Sequence, residues 1–233
     1  MKGENSKTRN ALIISYISFS ILIFAVVLII PSTREVFSKL SKENPYIMGF
    51  IKFALLATAG ELLAPIVATG KPKVPVKIVW RFIIWGFIGM WITLMMTVYK
   101  TAVANMGIIG SDIKFLSALY TSILMNTTFG PTFMAVHKCT DKMLELCASK
   151  QKICVKSVMT GIDWSTFASF TIGKTVPFFW IPAHTVTFLL PAEFQVMMAA
   201  ALSVALGVFL SIAGRSKNKN SLKQEKIEIV EAE

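Results

Sequence analysis

The chain has 233 residues, of which 54% are hydrophobic and 16% charged, well short of the roughly 25% charge of a soluble domain. Its apolar residues fall in runs near twenty long, which excludes an ordinary water-soluble globule and, with no strand alternation, a β-barrel. The net charge of +11 does not point to nucleic acid, because the basic residues are scattered between the runs instead of gathered in one stripe.

Residues 11–30 are twenty uncharged, mostly apolar positions, enough at 1.5 Å per residue to cross the hydrocarbon layer of a bilayer. Lys2, Lys7 and Arg9 precede this run as in a secretory signal. The run exceeds a usual signal core, however, and Pro31-Ser-Thr-Arg-Glu offers no small-x-small cleavage site, so a retained span is expected. A polar stretch, 32–44, carries Arg34, Lys39 and Lys42. Pro45 opens a second apolar segment, 47–69, with Gly60 and Pro65 as interruptions and Lys52 and Glu61 inside it. The two charges lie on opposite sides of a helix and cannot pair, so the carboxylate needs another partner or a proton.

The loop 70–77 holds three lysines and two prolines. The third span, 78–99, begins with Arg81 close enough to its end to snorkel outward, with Trp80 suited to an interface, and Gly86 and Gly89 permit close helix contact. After a loop, 100–114, the fourth span, 115–137, contains Asn126, Gly130 and Pro131. The longest polar connection, 138–161, carries five lysines and is compatible with a surface helix. Cys139, Cys147 and Cys154, placed on or near one side of it, fit neither a paired disulfide framework nor a zinc site and read as free thiols. Asp163 is expected to cap the next helix.

Residues 164–190 include Lys174 and lead into 176–191, Val-Pro-Phe-Phe-Trp-Ile-Pro-Ala-His-Thr-Val-Thr-Phe-Leu-Leu-Pro. Three prolines in apolar sequence predict a broken helix, tolerated in a membrane where protein or a hydrated cavity satisfies the freed carbonyls. Pro191 and Glu193 suit the first turn of a last helix, 192–213, in which Ala199, Ser203, Gly207 and Ser211 form a stripe of small residues. The tail, 214–233, is charged and expected to be disordered or peripheral. The organisation is thus an N-terminal extension with one span (1–44), a membrane domain (45–213) and a tail.

These segments predict an all-α polytopic transmembrane bundle of about six spans with proline-broken helices. With six, seventeen basic residues fall on the side of both termini and five on the other. A re-entrant fifth segment would make the split twelve against ten. The positive-inside bias favours six spans and cytoplasmic termini. The second and fifth spans are both interrupted, a pairing that points to a midplane site.

Glu61 is weighed evenly between a pore-lining or proton-linked carboxylate and a structural partner of Arg81, Lys174 or His184. His184 more readily bonds carbonyls freed by proline than it contacts a substrate, and Trp180 suits packing or an interface better than ligand stacking. His137 is the only other histidine, so no metal or other cofactor is implied. No catalytic triad, zinc motif, phosphate loop or close carboxylate pair marks an enzyme.

Trp180, Pro182, Phe188 and Pro191 resemble the C-terminal signature of the Mpv-seventeen and twenty-two-kilodalton peroxisomal membrane protein family, in a prokaryotic-type version. Pro45, Gly60-Glu61 (with Glu for the usual Asp), Arg81 and Asn126-Thr-Thr-Phe-Gly-Pro131 (with Asn for an acid) are similar to further family features. The likeness covers roughly 45–211. It lacks the family's His-x-Trp-Tyr motif around 89–96 and the arginine expected near Glu193. The resemblance implies a multi-span protein of the cell membrane, or of an organelle membrane in a eukaryote, and some members are proposed to pass small metabolites. The expected function is a channel or transporter of small solutes, with a non-transporting structural or assembly protein as the alternative. The candidate pore or solute-binding residues are Glu61, Arg81, Asn126, Lys174, Trp180 and His184. The partners are the bilayer and small solutes, not nucleic acid, with room for a homo-oligomer.

Overall fold

Continuous apolar sequence becomes continuous helix in the computed structural model, which describes residues 2–108, 110, 112–209 and 212 and has no strand among them. The first helix, α1 (Lys2–Ile29), is separated from α2 (Pro31–Glu43) by the single extended residue Ile30. The polar stretch before the second span is therefore helical. Pro31 suits its first turn, and Phe37 and Ser41, four residues apart, share its buried face.

A second proline start opens α3 (Pro45–Thr69), which runs α-helical through both Gly60 and Pro65. The expected interruption of this span is thus absent; Pro65 removes one donor, but the helix carries on for one more turn. Gly70, at φ +73°, ends it in the left-handed conformation that glycine adopts freely, with its N–H bonded to the Ile66 carbonyl at 2.8 Å.

Helix α4 (Ile78–Asn105) returns antiparallel to α3, and the two form the most extensive helix pair of the molecule. Their approach is set by glycine: a Cβ on Gly89 would strike the Gly49 carbonyl, and one on Gly49 would strike the Thr93 hydroxyl. The expected close contact at Gly86 is also found, where the Phe50 ring occupies the space a side chain would need.

The next two long helices are composites. The first is α5 (Lys114–Leu124), a π-helical turn (Met125–Phe129) and α6 (Gly130–Ala148), which extends well past the expected end at 137. A short surface helix, α7 (Val155–Thr160), follows. The second composite is α8 (Trp164–Thr166), a π-helical stretch (Phe167–Trp180) and α9 (Ile181–Leu189). Asp163 caps it as expected, accepting from the Thr166 N–H at 2.9 Å and the Thr166 hydroxyl at 2.6 Å. Pro177 and Pro182 sit in and just after the wide π turns, so the prolines widen this helix without breaking it. The last helix, α10 (Ala192–Phe209), begins directly after Pro191.

The core joins α3, α4, α5, α9 and α10 through Phe53, Leu56, Ile88, Ile92, Met96, Ala118, Phe188 and Met197. Helix α1 enters it only near its C-terminal end, through Phe24, while its earlier turns set Ile13 and Ile17 on Leu62 and let the Tyr16 hydroxyl donate to the Leu55 carbonyl at 3.2 Å. The small stripe of α10 has two uses. Ala199 is buried in the core, and Gly60 of α3 lets Val204 approach, whereas Ser203 and Gly207 face an internal cavity. Ser211 and the tail lie outside the described residues.

Four helical segments are long and apolar enough to cross a membrane: Lys7–Ile29, Pro45–Thr69, Ile78–Asn105 and Ala192–Phe209. The expectation of about six is met only to that extent. The π turns divide the two composite helices, and α6 carries Lys138, Asp141, Lys142 and Glu145 from its middle onward.

Candidate functional site: a cavity between the composite helices

The deep polar group of the bundle starts from Asn126, which the π turn places on the buried side of its helix, 2% exposed. Its amide nitrogen donates to the Ser122 carbonyl at 2.8 Å. The Ser122 hydroxyl in turn donates across to the Ile181 carbonyl at 2.7 Å, one residue before Pro182. With the amide nitrogen committed, Asn126 Oδ1 faces Nδ1 of His184 at 3.0 Å. A carbonyl oxygen can only accept, so Nδ1 carries the proton and Nε2 presents a lone pair. His184 therefore bonds a side-chain amide, not a carbonyl freed by proline. The Ser122 and Thr185 hydroxyls both donate to the Ile181 carbonyl, which is not one that a proline frees, since Pro182 withholds its bond from the preceding turn. The Trp180 ring lies one turn earlier, 5.2 Å from the imidazole. It forms part of an interior wall, not an interfacial belt.

These groups line a cavity of about 470 Å³. Its walls come from α3, α4, both composite helices and α10, and are mainly aromatic and aliphatic, including Phe53, Trp85, Phe129, Phe133 and Trp180. Asn126 and His184 sit where the π turn of the first composite helix meets α9 of the second. Lys138, Asp141 and Thr166 lie at the end nearest the 149–163 connection, and Lys138 and Thr166 are exposed there. Both π-helical stretches contribute wall residues. Such stretches recur at functional sites.

Beside the mouth stands an ion cluster. Arg81 donates through Nη1 to Glu61 Oε1 at 3.0 Å and to Asp141 Oδ1 at 2.8 Å, and through Nε to the Val76 carbonyl at 3.0 Å. The Trp85 indole also donates to Glu61 Oε1 at 3.0 Å. His137 Nε2 is 3.6 Å from Asp141 Oδ2, with the Trp85 ring 4.4 Å away. Of the alternatives left open for Glu61, the Arg81 pair is the one observed. Arg81 turns inward, its side chain 11% exposed, and does not snorkel. Glu61, His137 and Asp141 have ligand atoms within 4.8 Å of one another. The guanidinium bridging both carboxylates already fills the cation's role in this cluster.

The six expected residues thus separate. Asn126, Trp180 and His184 come together on the cavity wall, and Glu61 and Arg81 pair behind it. Lys174 lies exposed on the outer face without an ion pair among the described residues. The suspected pairing of Glu61 with the proline-rich segment is not formed. Sequence reasoning missed His137 and Asp141; their spacing of four on one helix was the available signal.

A second buried charge ties the opposite end. Lys52, 3% exposed, donates to Ser41 Oγ at 2.9 Å and the Glu193 carbonyl at 2.7 Å. Its ammonium also lies over the Phe37 ring, which stacks on Phe194. Comparison with known family models, curated proteins and solved structures finds no match.

Proposed function

We propose that the protein is a six-span membrane protein that binds a small solute in the cavity between its composite helices and passes it across the bilayer. One observation carries this reading: both π-helical stretches face the same cavity. Irregular backbone at membrane depth persists where it is buried in protein or lines a cavity, and here both stretches supply the walls. The run 114–148 spans about 50 Å and 164–189 about 40 Å, each long enough to cross. Their outward side chains suit lipid, with Phe178 81% exposed and Val186 52%.

The positive-inside bias places both termini and the mouth beside Lys138 in the cytoplasm, and the membrane is the cell membrane or an organelle membrane. Membership of the Mpv-seventeen family belongs to the same proposal. It is supported by the cavity position of Trp180 and by Glu61 and Arg81, which correspond to family features and pair with each other. The paired interruption of the second and fifth spans does not support it, because α3 is continuous.

Reconstitution of the full chain in liposomes tests the reading. Flux of small uncharged solutes is expected in the wild type and is expected to fall at least tenfold in Ser203→Phe, which fills the cavity from α10. No flux at any voltage or pH would leave the non-transporting scaffold as the reading.

A further inference from the structure

Around Asn126, at the deep end of the cavity, one ring nitrogen has no partner among the described residues. Asn126 uses its amide nitrogen on Ser122 and its oxygen on His184, Ser122 uses its hydroxyl on Ile181, and the Thr175 hydroxyl donates to the Thr171 carbonyl. His184 is 8% exposed, and its Nε2 makes no hydrogen bond although its ring lines the cavity. The Asn126 contact sets the tautomer, so the open position is an acceptor.

We propose that the cavity takes an uncharged, largely aromatic molecule carrying one hydroxyl, which it donates to Nε2 of His184. The inference rests on the solute-binding reading above and names the class of solute. The cavity wall is rich in rings, with Trp180 beside the imidazole and Phe129 and Phe133 elsewhere in the lining, and Met125 adds an adaptable side chain. An anion is disfavoured there. The charged lining residues Lys138 and Asp141 lie at the mouth, Arg81 is held by two carboxylates, and a carboxylate would set its lone pairs against the Nε2 lone pair. A cation would have to shed its water with no counter-charge at the deep end. A molecule lacking a donor leaves Nε2 dry and unpaired, a loss of about tenfold or more in affinity.

The test is equilibrium dialysis of the full chain in nanodiscs, with empty nanodiscs subtracted, against 2-naphthol, 2-methoxynaphthalene and 2-naphthoate. Binding of 2-naphthol at least about tenfold tighter than either analogue supports the proposal. His184→Phe keeps a ring but removes the acceptor; it is expected to bring 2-naphthol down to the level of 2-methoxynaphthalene and to leave the latter unchanged. Should that variant not fold, the three-ligand ranking on the wild type decides alone. Equal binding of 2-naphthol and 2-methoxynaphthalene, both blocked by Ser203→Phe, would overturn the donor requirement and leave the cavity reading standing. Tighter binding of 2-naphthoate would overturn the uncharged class. No binding above empty nanodiscs for any probe would overturn the solute-binding reading, and this inference with it.

Discussion

Arg81 serves two carboxylates at once, and this sharing determines what its loss would do. Replacing it with methionine leaves Glu61 and Asp141 close together, half-buried and without their cation. Breaking a buried pair from one side costs about 3 kcal/mol, so Arg81→Met is expected to lower the unfolding temperature in detergent clearly. Adding Glu61→Leu removes one of the stranded charges and is expected to restore about half of the loss; a single variant as stable as wild type would show the cluster to be idle. Asn126→Ala strips partners from both Ser122 and His184 and is expected to cost about 1–3 kcal/mol in the same measurement. Asp163, exposed at its cap, is held below the usual carboxylate range by the Thr166 hydroxyl and N–H. A depressed value means that the cap holds at neutral pH and loosens only as acid brings pH down through it, below the ordinary aspartate range. Amide exchange at Thr166 should therefore be flat from pH 5 to 8 once corrected for intrinsic rate. At this scale the sequence was informative where a residue contradicts its surroundings. Glu61 in an apolar run had to have a partner, but which of three cations or imidazoles met it depended on which faces of separate helices touch. His137 and Asp141 contradicted nothing, because they sit where a span gives way to a polar connection.

At the scale of elements, the prolines predicted one irregular helix in its place and another where there is none. The sequence put interruptions at Gly60/Pro65 and Pro177/Pro182; the structure keeps the first helix continuous and has π turns at Phe167–Trp180, around Pro177, and at Met125–Phe129. Proline chemistry is legible one residue at a time, whereas a π turn depends on packing that holds two faces in register. The first π turn sets Asn126 toward His184 while α6 sets His137 and Asp141 toward Arg81. Deleting the exposed Thr127 would rotate everything after it by about 100° relative to everything before. One of the two clusters must then lose its partners. The expected outcome is unchanged helical content by circular dichroism with loss of 2-naphthol binding or of thermal stability; a deletion variant retaining both would mean that the register is immaterial. The α3–α4 pair gives the opposite case, since its glycines announced the contact that was found. A Cβ at Gly89 meets backbone, which cannot step aside, so Gly89→Val is expected to cost upwards of 2 kcal/mol, at the high end of overpacking.

At the scale of the whole molecule, the number of crossings is a question of sidedness, and the native cysteines can answer it. Length and composition alone mark four crossing helices, because the composite helices are divided by π turns and end in charge. The charge bias that argues for six was legible in the sequence precursor of every loop, yet it fixes a side for each connection and not the path of the helix between them. Six crossings place 149–163 on the same side as the N-terminus and 106–113 on the other. Cys147 and Cys154 are free and exposed, while Cys139 is half-buried. In sealed inside-out vesicles an impermeant maleimide is therefore expected to label Cys147 and Cys154, and in right-side-out vesicles to label neither. Met106, 61% exposed at the end of α4, gives the complementary probe: Met106→Cys in a chain without the native cysteines should label only from the outside. A tail reporter completes the set, since 5 crossings would send the C-terminus out and 6 keep it in, on the order expected from the positive-inside rule. Should Cys154 and Met106→Cys label from one side, the composite helix 114–148 does not cross. The cavity that its π turn lines would then open to one compartment only, and passage of a solute through it would be ruled out even if binding remained.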